Sequence, residues 1–307
     1  MSWLWAVFTV IAAGAQTVRN AAQRELTGKL GTVGATHVRF LFGCPFALMF
    51  LLGVVATGAA LPRPGPTFWP WMLGGALAQI AATALMLAAM GGRSFVVAIA
   101  YIKTEPIQVA LFGLVFLDDP VTPVMAVAIV IATAGVVIMA IRDRQNGERR
   151  GGEAAGPAPQ IWAAGTLVGL AAGGTFALSA IGYRGAILSL GQANYLMAAT
   201  FTMATGLVVQ SALLSAYLAL RDVAVLAAIG RAWRPSLFAG FMGALASQFW
   251  FLAFALATAA SVRTLALVEV LFAQAISRFV FHQPVSRRER IGIVLIVLGV
   301  VLLVWAP

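Results

Sequence analysis

The sequence predicts an all-α membrane protein of ten transmembrane helices, arranged as two inverted five-helix repeats. Three observations carry that expectation. Of 307 residues, 61% are apolar and 10% charged, whereas a soluble domain carries about 25% charged and 45–50% apolar residues. Mean hydropathy is +0.94, and apolar runs of about 20 residues, the length a helix needs to cross a bilayer, recur along the chain. The second half also repeats features of the first in the same order. The net charge of +10 comes from 20 Lys+Arg against 10 Asp+Glu. Those basic residues are thinly spread between apolar runs, so they suit membrane topology and anionic lipid as a partner rather than nucleic acid. The single cysteine, Cys44, excludes an intramolecular disulfide and any multi-cysteine metal site.

In order, the expected spans of the first half are 3–24, 33–57, 68–90, 94–117 and 121–141. Span one ends its apolar run in Ala12-Ala13-Gly14-Ala15, which imitates a signal-peptide cleavage site. No basic residue precedes that run, as a secretory leader would require, so it reads as a retained first span. Pro62-Arg63-Pro64-Gly65-Pro66 separates the second span from the third, Gly91-Gly92-Arg93 the third from the fourth, and Asp118-Asp119-Pro120 the fourth from the fifth. The stretch 142–160 is rich in Arg, Gly, Glu and Pro, cannot bury a core, and reads as a mobile linker. The second half follows with spans 161–187, 193–219, 236–258, 260–281 and 288–305, Gln283-Pro284 preceding the last. The chain therefore divides into a first repeat (1–141), a basic Gly/Pro-rich linker (142–160) and a second repeat (161–307).

The duplication rests on spacing. Glu105 precedes Pro120 by 15 residues, and Glu269 precedes Pro284 by 15. At the same offset Gly135 falls on Gly299; at drifting offsets, which small insertions explain, Gly74–Ala78 resembles Met242–Ala246, and Trp3 and Gly14 match Trp162 and Gly173. An odd number of spans per copy inserts the copies in opposite orientations, the arrangement of secondary transporters whose site lies at the repeat interface near mid-membrane. With Glu-Pro in the fourth span and an acidic residue–Pro turn before a Gly-containing fifth, the chain resembles the EamA-type drug/metabolite transporter family. The resemblance is clearest over 95–141 and 260–305, and the second copy departs from it at Val270 and His282. It implies alternating-access transport, usually export, of small organic metabolites such as amino acids or related amphipathic compounds, in a bacterial inner membrane, without a cofactor.

Loop charge sets the expected orientation. The loops after odd-numbered spans hold Arg24, Lys29, Arg93, Arg142, Arg144, Arg149, Arg150, Arg221, Arg231, Arg234, Arg287, Arg288 and Arg290, against Arg63 on the other side. This positive-inside bias puts the linker in the cytoplasm and both termini outside.

Polar residues within spans are costly in lipid, by at least about 2.5–3.5 kcal/mol for a charge, and so face a cavity or a partner. In span one, Gln16, Arg19, Asn20 and Gln23 recur on one helical face. In span four, Tyr101, Thr104, Glu105 and Gln108 share a face while Lys103 points elsewhere, and Pro106 is expected to kink the helix beside the carboxylate. Glu105 satisfies either a buried ion pair with Arg39 or Arg19, or a direct substrate or proton contact. Glu269 is its repeat equivalent, near Arg263, Thr264 and Gln274. His37 reads as solvated near a helix end, and Arg39 lies deep in span two. Gln79, Thr83, Met86 and Met90 form a stripe in span three, matched by Gln248, Trp250 and Phe251 in span eight, while other tryptophans such as Trp71 read as interfacial anchors. The expected substrate contacts are Gln16, Asn20, Gln79, Tyr101, Glu105, Gln108, Gln248, Trp250 and Glu269. Arg19, Arg39, Lys103, Glu105 and Glu269 are the expected coupling or ion-pair residues, with proton coupling through a carboxylate as one route and no metal. This lining fits a zwitterion or cation better than a simple anion.

No nucleotide-binding loop, nucleophile elbow, zinc motif or cysteine pair is present in the sequence, so an ATP-driven pump or an enzyme is not expected. The alternative is a polytopic intramembrane enzyme or lipid-handling protein without solute transport.

Overall fold

The structure, a computed structural model, describes residues 3–90, 101–150, 158–279 and 286–305. Within them the chain is helical, with no strand. The first helix, α1 (Leu4–Leu41), is interrupted at Gly31, whose φ of 68° and ψ of 175° suit glycine far better than any L side chain. Gln23 Nε2 donates to the carbonyl of Ala35 at 2.9 Å, although the two residues are 12 apart in sequence. On a straight helix that separation is about 18 Å, so the chain reverses at Gly31 and the two parts of α1 lie against each other. Phe42 keeps right-handed backbone angles, and the returning part runs on into α2 (Gly43–Ala56). Then come α3 (Phe68–Met90), α4 (Glu105–Leu117) and α5 (Pro123–Arg150). The second half is α6 (Ala158–Ser189), α7 (Tyr195–Arg221), α8 (Val223–Arg231), α9 (Trp233–Leu256), α10 (Ala259–Leu265), α11 (Val268–Phe279) and α12 (Arg287–Trp305).

Among the described residues, Leu4–Ala56, Phe68–Ala89, Tyr195–Arg221 and Trp233–Leu256 are long and apolar enough to cross a membrane, and Glu105–Leu117 and Pro123–Met139 are shorter apolar helices. Their outer faces are apolar as well, with Leu52, Leu111, Val115, Val130 and Leu167 all more than half exposed. A soluble monomer rarely exposes so many large apolar side chains. A membrane-embedded all-α protein does.

Three sequence expectations change. The fourth and ninth spans are not continuous helices: the chain turns at Lys103-Thr104 before α4, and at Ala266-Leu267 between α10 and α11. Pro106 therefore does not kink a helix. It sits in the first turn of α4, where its missing N–H has no carbonyl to meet. The 142–160 stretch is also not wholly a linker, because α5 continues to Arg150 and α6 begins at Ala158, with 151–157 outside the described residues. Arg, Gln and Glu are good helix formers, so the helix propagates beyond its apolar part. The short helix α8 was not expected. It starts where the Asp222 carboxylate accepts from the Val225 N–H at 3.3 Å.

The most extensive helix pairings are α1 with α9, α3 with α6, and α5 with α12; α2 also packs on α7. Each joins the first half of the chain to the second. Close approach at α5–α12 depends on missing side chains, since a Cβ on Gly135 would lie 2.7 Å from the Gly292 carbonyl oxygen.

Candidate functional site

Each of the two helix breaks places a carboxylate in the first turn of the helix that follows: Glu105 in α4 and Glu269 in α11. The unpaired N–H groups of a helix start favour negative charge there. Both carboxylates are ion-paired across the halves. Glu105 Oε1 lies 2.6 Å from Arg263 Nε, and Glu269 pairs with Lys103. The Glu105–Arg263 contact is close but poorly aligned as a hydrogen bond, since neither atom has a partner of good geometry. Its attraction is therefore mainly Coulombic. Arg263 also lies against the Trp250 ring at 4.9 Å and the Phe176 ring at 5.9 Å.

These partners correct the sequence reading, which paired Glu105 with Arg39 or Arg19. Arg263, from α10, reaches the carboxylate because the break leaves α10 and α11 as separate short helices. Lys103 pairs with Glu269.

Gln16 connects the site. Its Nε2 donates to Glu269 Oε2 at 3.1 Å, and its Oε1 accepts from Trp250 Nε1 at 3.1 Å. Around it lies a cavity of about 50 Å³ lined by Gln16, Arg19, Asn20, Lys103, Glu105 and Glu269, among others. A second, of about 20 Å³, is bounded by Arg39, Gln79, Tyr183, Trp250, Phe251 and Phe254. Gln16, Phe176 and Arg263 border both. Arg19 is 1% and Arg39 3% exposed. Arg19 Nη2 donates to Asn20 Oδ1 at 2.7 Å, and Arg39 Nη1 to Thr83 Oγ1 at 3.1 Å.

Of the expected substrate contacts, the structure brings Gln16, Asn20, Gln79, Glu105, Trp250 and Glu269 to these cavities. Three others lie elsewhere. Gln248 donates to Thr200 Oγ1 at 2.7 Å and faces α7. Gln108 donates to Thr104 Oγ1 at 3.3 Å, and its amide rests against Gly173 and Gly174 of α6. Tyr101 ends the segment before the break, its carbonyl accepting from the Thr104 hydroxyl at 2.7 Å. The face predicted for Tyr101, Thr104, Glu105 and Gln108 needed one unbroken helix. The turn at Lys103-Thr104 destroys that register.

Gln79 is held as firmly as it is placed, because its Oε1 accepts from Tyr183 at 3.2 Å and Gln210 at 3.0 Å. His37 is not solvated but buried, 3.0 Å from Ser215 Oγ. Trp71 packs against Gly185 of α6 rather than serving only as an anchor. The side chain of Met90 lies outside the described residues.

Sequence reasoning left two cations out of the expected site. Arg263 was placed only as a neighbour of Glu269, although it met the same rule that singled out Lys103. Arg184, three residues from the end of expected span six, forms a buried bidentate pair with Asp119 at 2.8 and 2.9 Å. Its Nη1 also donates to the carbonyls of Phe254 and Ala257 at 2.6 Å. That cluster ties α6 to the turn after α4 and to the C-terminus of α9.

No family model and no curated protein matches the sequence. Among solved structures, the chain is similar to one described only as "Crystal structure of protein", with a TM-score of 0.70 at 15% identity, over 98% of this chain and 95% of that one. At such identity the likeness is one of fold.

Proposed function

We propose that the protein is a secondary transporter of a small organic metabolite, an amino acid or related amphipathic compound, working by alternating access in a bacterial inner membrane as an EamA-type drug/metabolite transporter. The observation that carries this reading is the pair of reciprocal ion pairs, Glu105–Arg263 and Glu269–Lys103, at two broken helices beside a buried polar cavity. Broken helices at a central site are how transporters present helix ends to a substrate.

The packing pattern supports an inverted duplication. Exchanging the two halves maps the α1–α9 pairing onto α6–α3, and maps α2–α7 and α5–α12 onto themselves. It also exchanges the two carboxylates, Glu105 and Glu269, each of which pairs with a cation of the other half, although Lys103 and Arg263 stand at different offsets from them. Halves related in this way can rock against each other about the shared site, and the cross-half ion pairs are the contacts that such a motion must loosen on one side. Gln16, hydrogen-bonded to both Glu269 and Trp250, reports the closed arrangement.

Reconstitution tests the reading. Proteoliposomes should show saturable exchange of a small metabolite without ATP, using a labelled amino-acid and organic-acid panel. Folded protein that moves none of them, or that converts a compound covalently, would favour the enzyme or lipid-handling alternative.

A further inference from the structure

We propose that this cavity binds an organic anion, a carboxylate with an apolar body, whose negative group lies between Arg19 and Arg39. The inference rests on the cavity being the transport site and names its ligand class.

The argument begins with charge. Around the two cavities stand four cations, Arg19, Arg39, Lys103 and Arg263, and two carboxylates, Glu105 and Glu269. Both carboxylates are engaged by Arg263 and Lys103. The chain holds ten acidic residues, and those others that the structure describes are placed elsewhere. Asp119 pairs with Arg184, and Glu25 with Lys29 on the exposed surface. Asp222 and Glu289 accept from backbone N–H groups at helix starts. Asp118 ends α4, and Asp143, Glu148 and Glu153 belong to the 142–160 stretch. Among the described residues no carboxylate pairs with Arg19 or Arg39. Arginine is the side chain least able to shed its charge.

Geometry places the excess at one spot. The stems of both arginines pack over Gly243 of α9, where a Cβ would lie 3.2 Å from Arg39 Cγ and 3.4 Å from Arg19 Cδ. Arg19 Nε and Nη1, and Arg39 Nε, are buried with no acceptor among the described residues. Two like charges held side by side with donors to spare are costly without a counterion, and a planar carboxylate matches the guanidinium fork. The cavity of about 50 Å³ beside Arg19 has room for a carboxylate-sized group, given that one water needs roughly 10–15 Å³ of such space. Beyond it, Phe176, Trp250, Phe251 and Phe254 surround the smaller cavity at Arg39. They provide the wall for the apolar body once Gln16 or Phe176 turns aside. A simple cation meets excess like charge here, which reverses the sequence-based preference, whereas an amino acid enters through its carboxylate.

The test uses the purified full chain in nanodiscs of zwitterionic lipid, with thermal unfolding as readout at fixed ionic strength. The probes are sodium acetate and phenylacetate, against acetamide, phenylacetamide and phenethylamine. Both carboxylates should stabilise saturably, phenylacetate at lower concentration, while the amides and the amine do not. Arg39→Gln should raise the half-saturating phenylacetate concentration at least tenfold, and the exposed control Arg63→Gln should leave it unchanged. Arg19→Met should abolish the shift and, by removing an uncompensated charge, leave the ligand-free protein at least as stable as the parent. Equal stabilisation by the amides, an undiminished shift in Arg19→Met, or a ligand-free Arg19→Met that is less stable or unfolded would each overturn the proposal. Carboxylate binding without flux in proteoliposomes would sink the transport reading and leave this one standing. Flux of an amine without carboxylate binding would do the reverse.

Discussion

Replacing Glu105 by Gln tests whether the cross-half ion pairs hold the closed arrangement together. From sequence alone, the substitution is expected to leave folding intact, because the amide keeps the carboxyl's shape. The structure alters that expectation. Glu105 and Arg263 side chains are 15% and 11% exposed, with Oε1 and Nε 2.6 Å apart. Breaking a buried pair from one side costs about 3–5 kcal/mol, because the remaining charge is left uncompensated. Two features argue for the lower end, about 3 kcal/mol. The contact is misaligned as a hydrogen bond, so little directional bonding is lost, and Arg263 keeps its positions over Trp250 and Phe176. Arg263→Gln should cost a similar amount. The double variant should be no worse than either single one, which gives a coupling energy of at least about 3 kcal/mol. Unfolding in mixed micelles titrated with SDS, followed by circular dichroism, measures all four corners of the cycle. Additivity within about 0.5 kcal/mol would mean that the pair is not energetically coupled, and the argument from reciprocal ion pairs would fail with it.

Asp119→Asn should cost about 3 kcal/mol in the same assay, because Arg184 loses its counter-charge and one of the two acceptors of its bidentate partner; a loss under about 1 kcal/mol would demote the cluster to an incidental contact. Gly31→Ala should cost about 1–3 kcal/mol through backbone strain alone, since a Cβ there meets nothing within 4 Å while φ is 68°; no measurable loss would contradict the reversal at that residue. Single cysteines at Ser2 and Gly147 in a Cys44→Ser background, exposed to an impermeant maleimide on whole cells, should label at Ser2 and not at Gly147, and the opposite pattern would refute the orientation derived from loop charge.

Helix positions were legible where the physics is additive along the chain. Apolar content summed over about 20 residues is a local property, and it located α3, α7 and α9 to within a few residues. Breaks were not legible, because they depend on backbone angles at single residues. Nothing in the hydropathy of 94–117 separates Lys103-Thr104 from its neighbours, and the one local sign, Pro106, is equally at home as a kink inside a helix or as the first turn of a new one. Choosing between these requires knowing what the freed carbonyls and carboxylate meet. The same limit explains the missed α8. Its nine residues, Val223–Arg231, are too short for a periodic signal to stand out from a loop.

The site divides along a similar line. Insertion cost identifies which polar residues must be buried against something, so Gln16, Lys103, Glu105 and Glu269 could be named from sequence. It says nothing of partners. Glu105 and Arg263 are 158 residues apart, and their pairing follows from which helices cross at the centre, not from any spacing. Gln108 and Gln248 were misplaced for that reason: each meets its burial cost within a helix pair, through Thr104 and Thr200, and owes nothing to a cavity. Net charge becomes a constraint once the lining is known. Around the cavities Arg19, Arg39, Lys103 and Arg263 stand against Glu105 and Glu269, and every pairing of those six leaves two cations over. Selecting those six needed the structure, because Arg263 and Arg184 each lie three residues from the end of an expected span and only Arg263 lines the cavities. The count of amides and aromatics that suggested a zwitterion or cation carries no sign of charge, whereas the signed sum over the lining does, and the proposal of an anion rests on it.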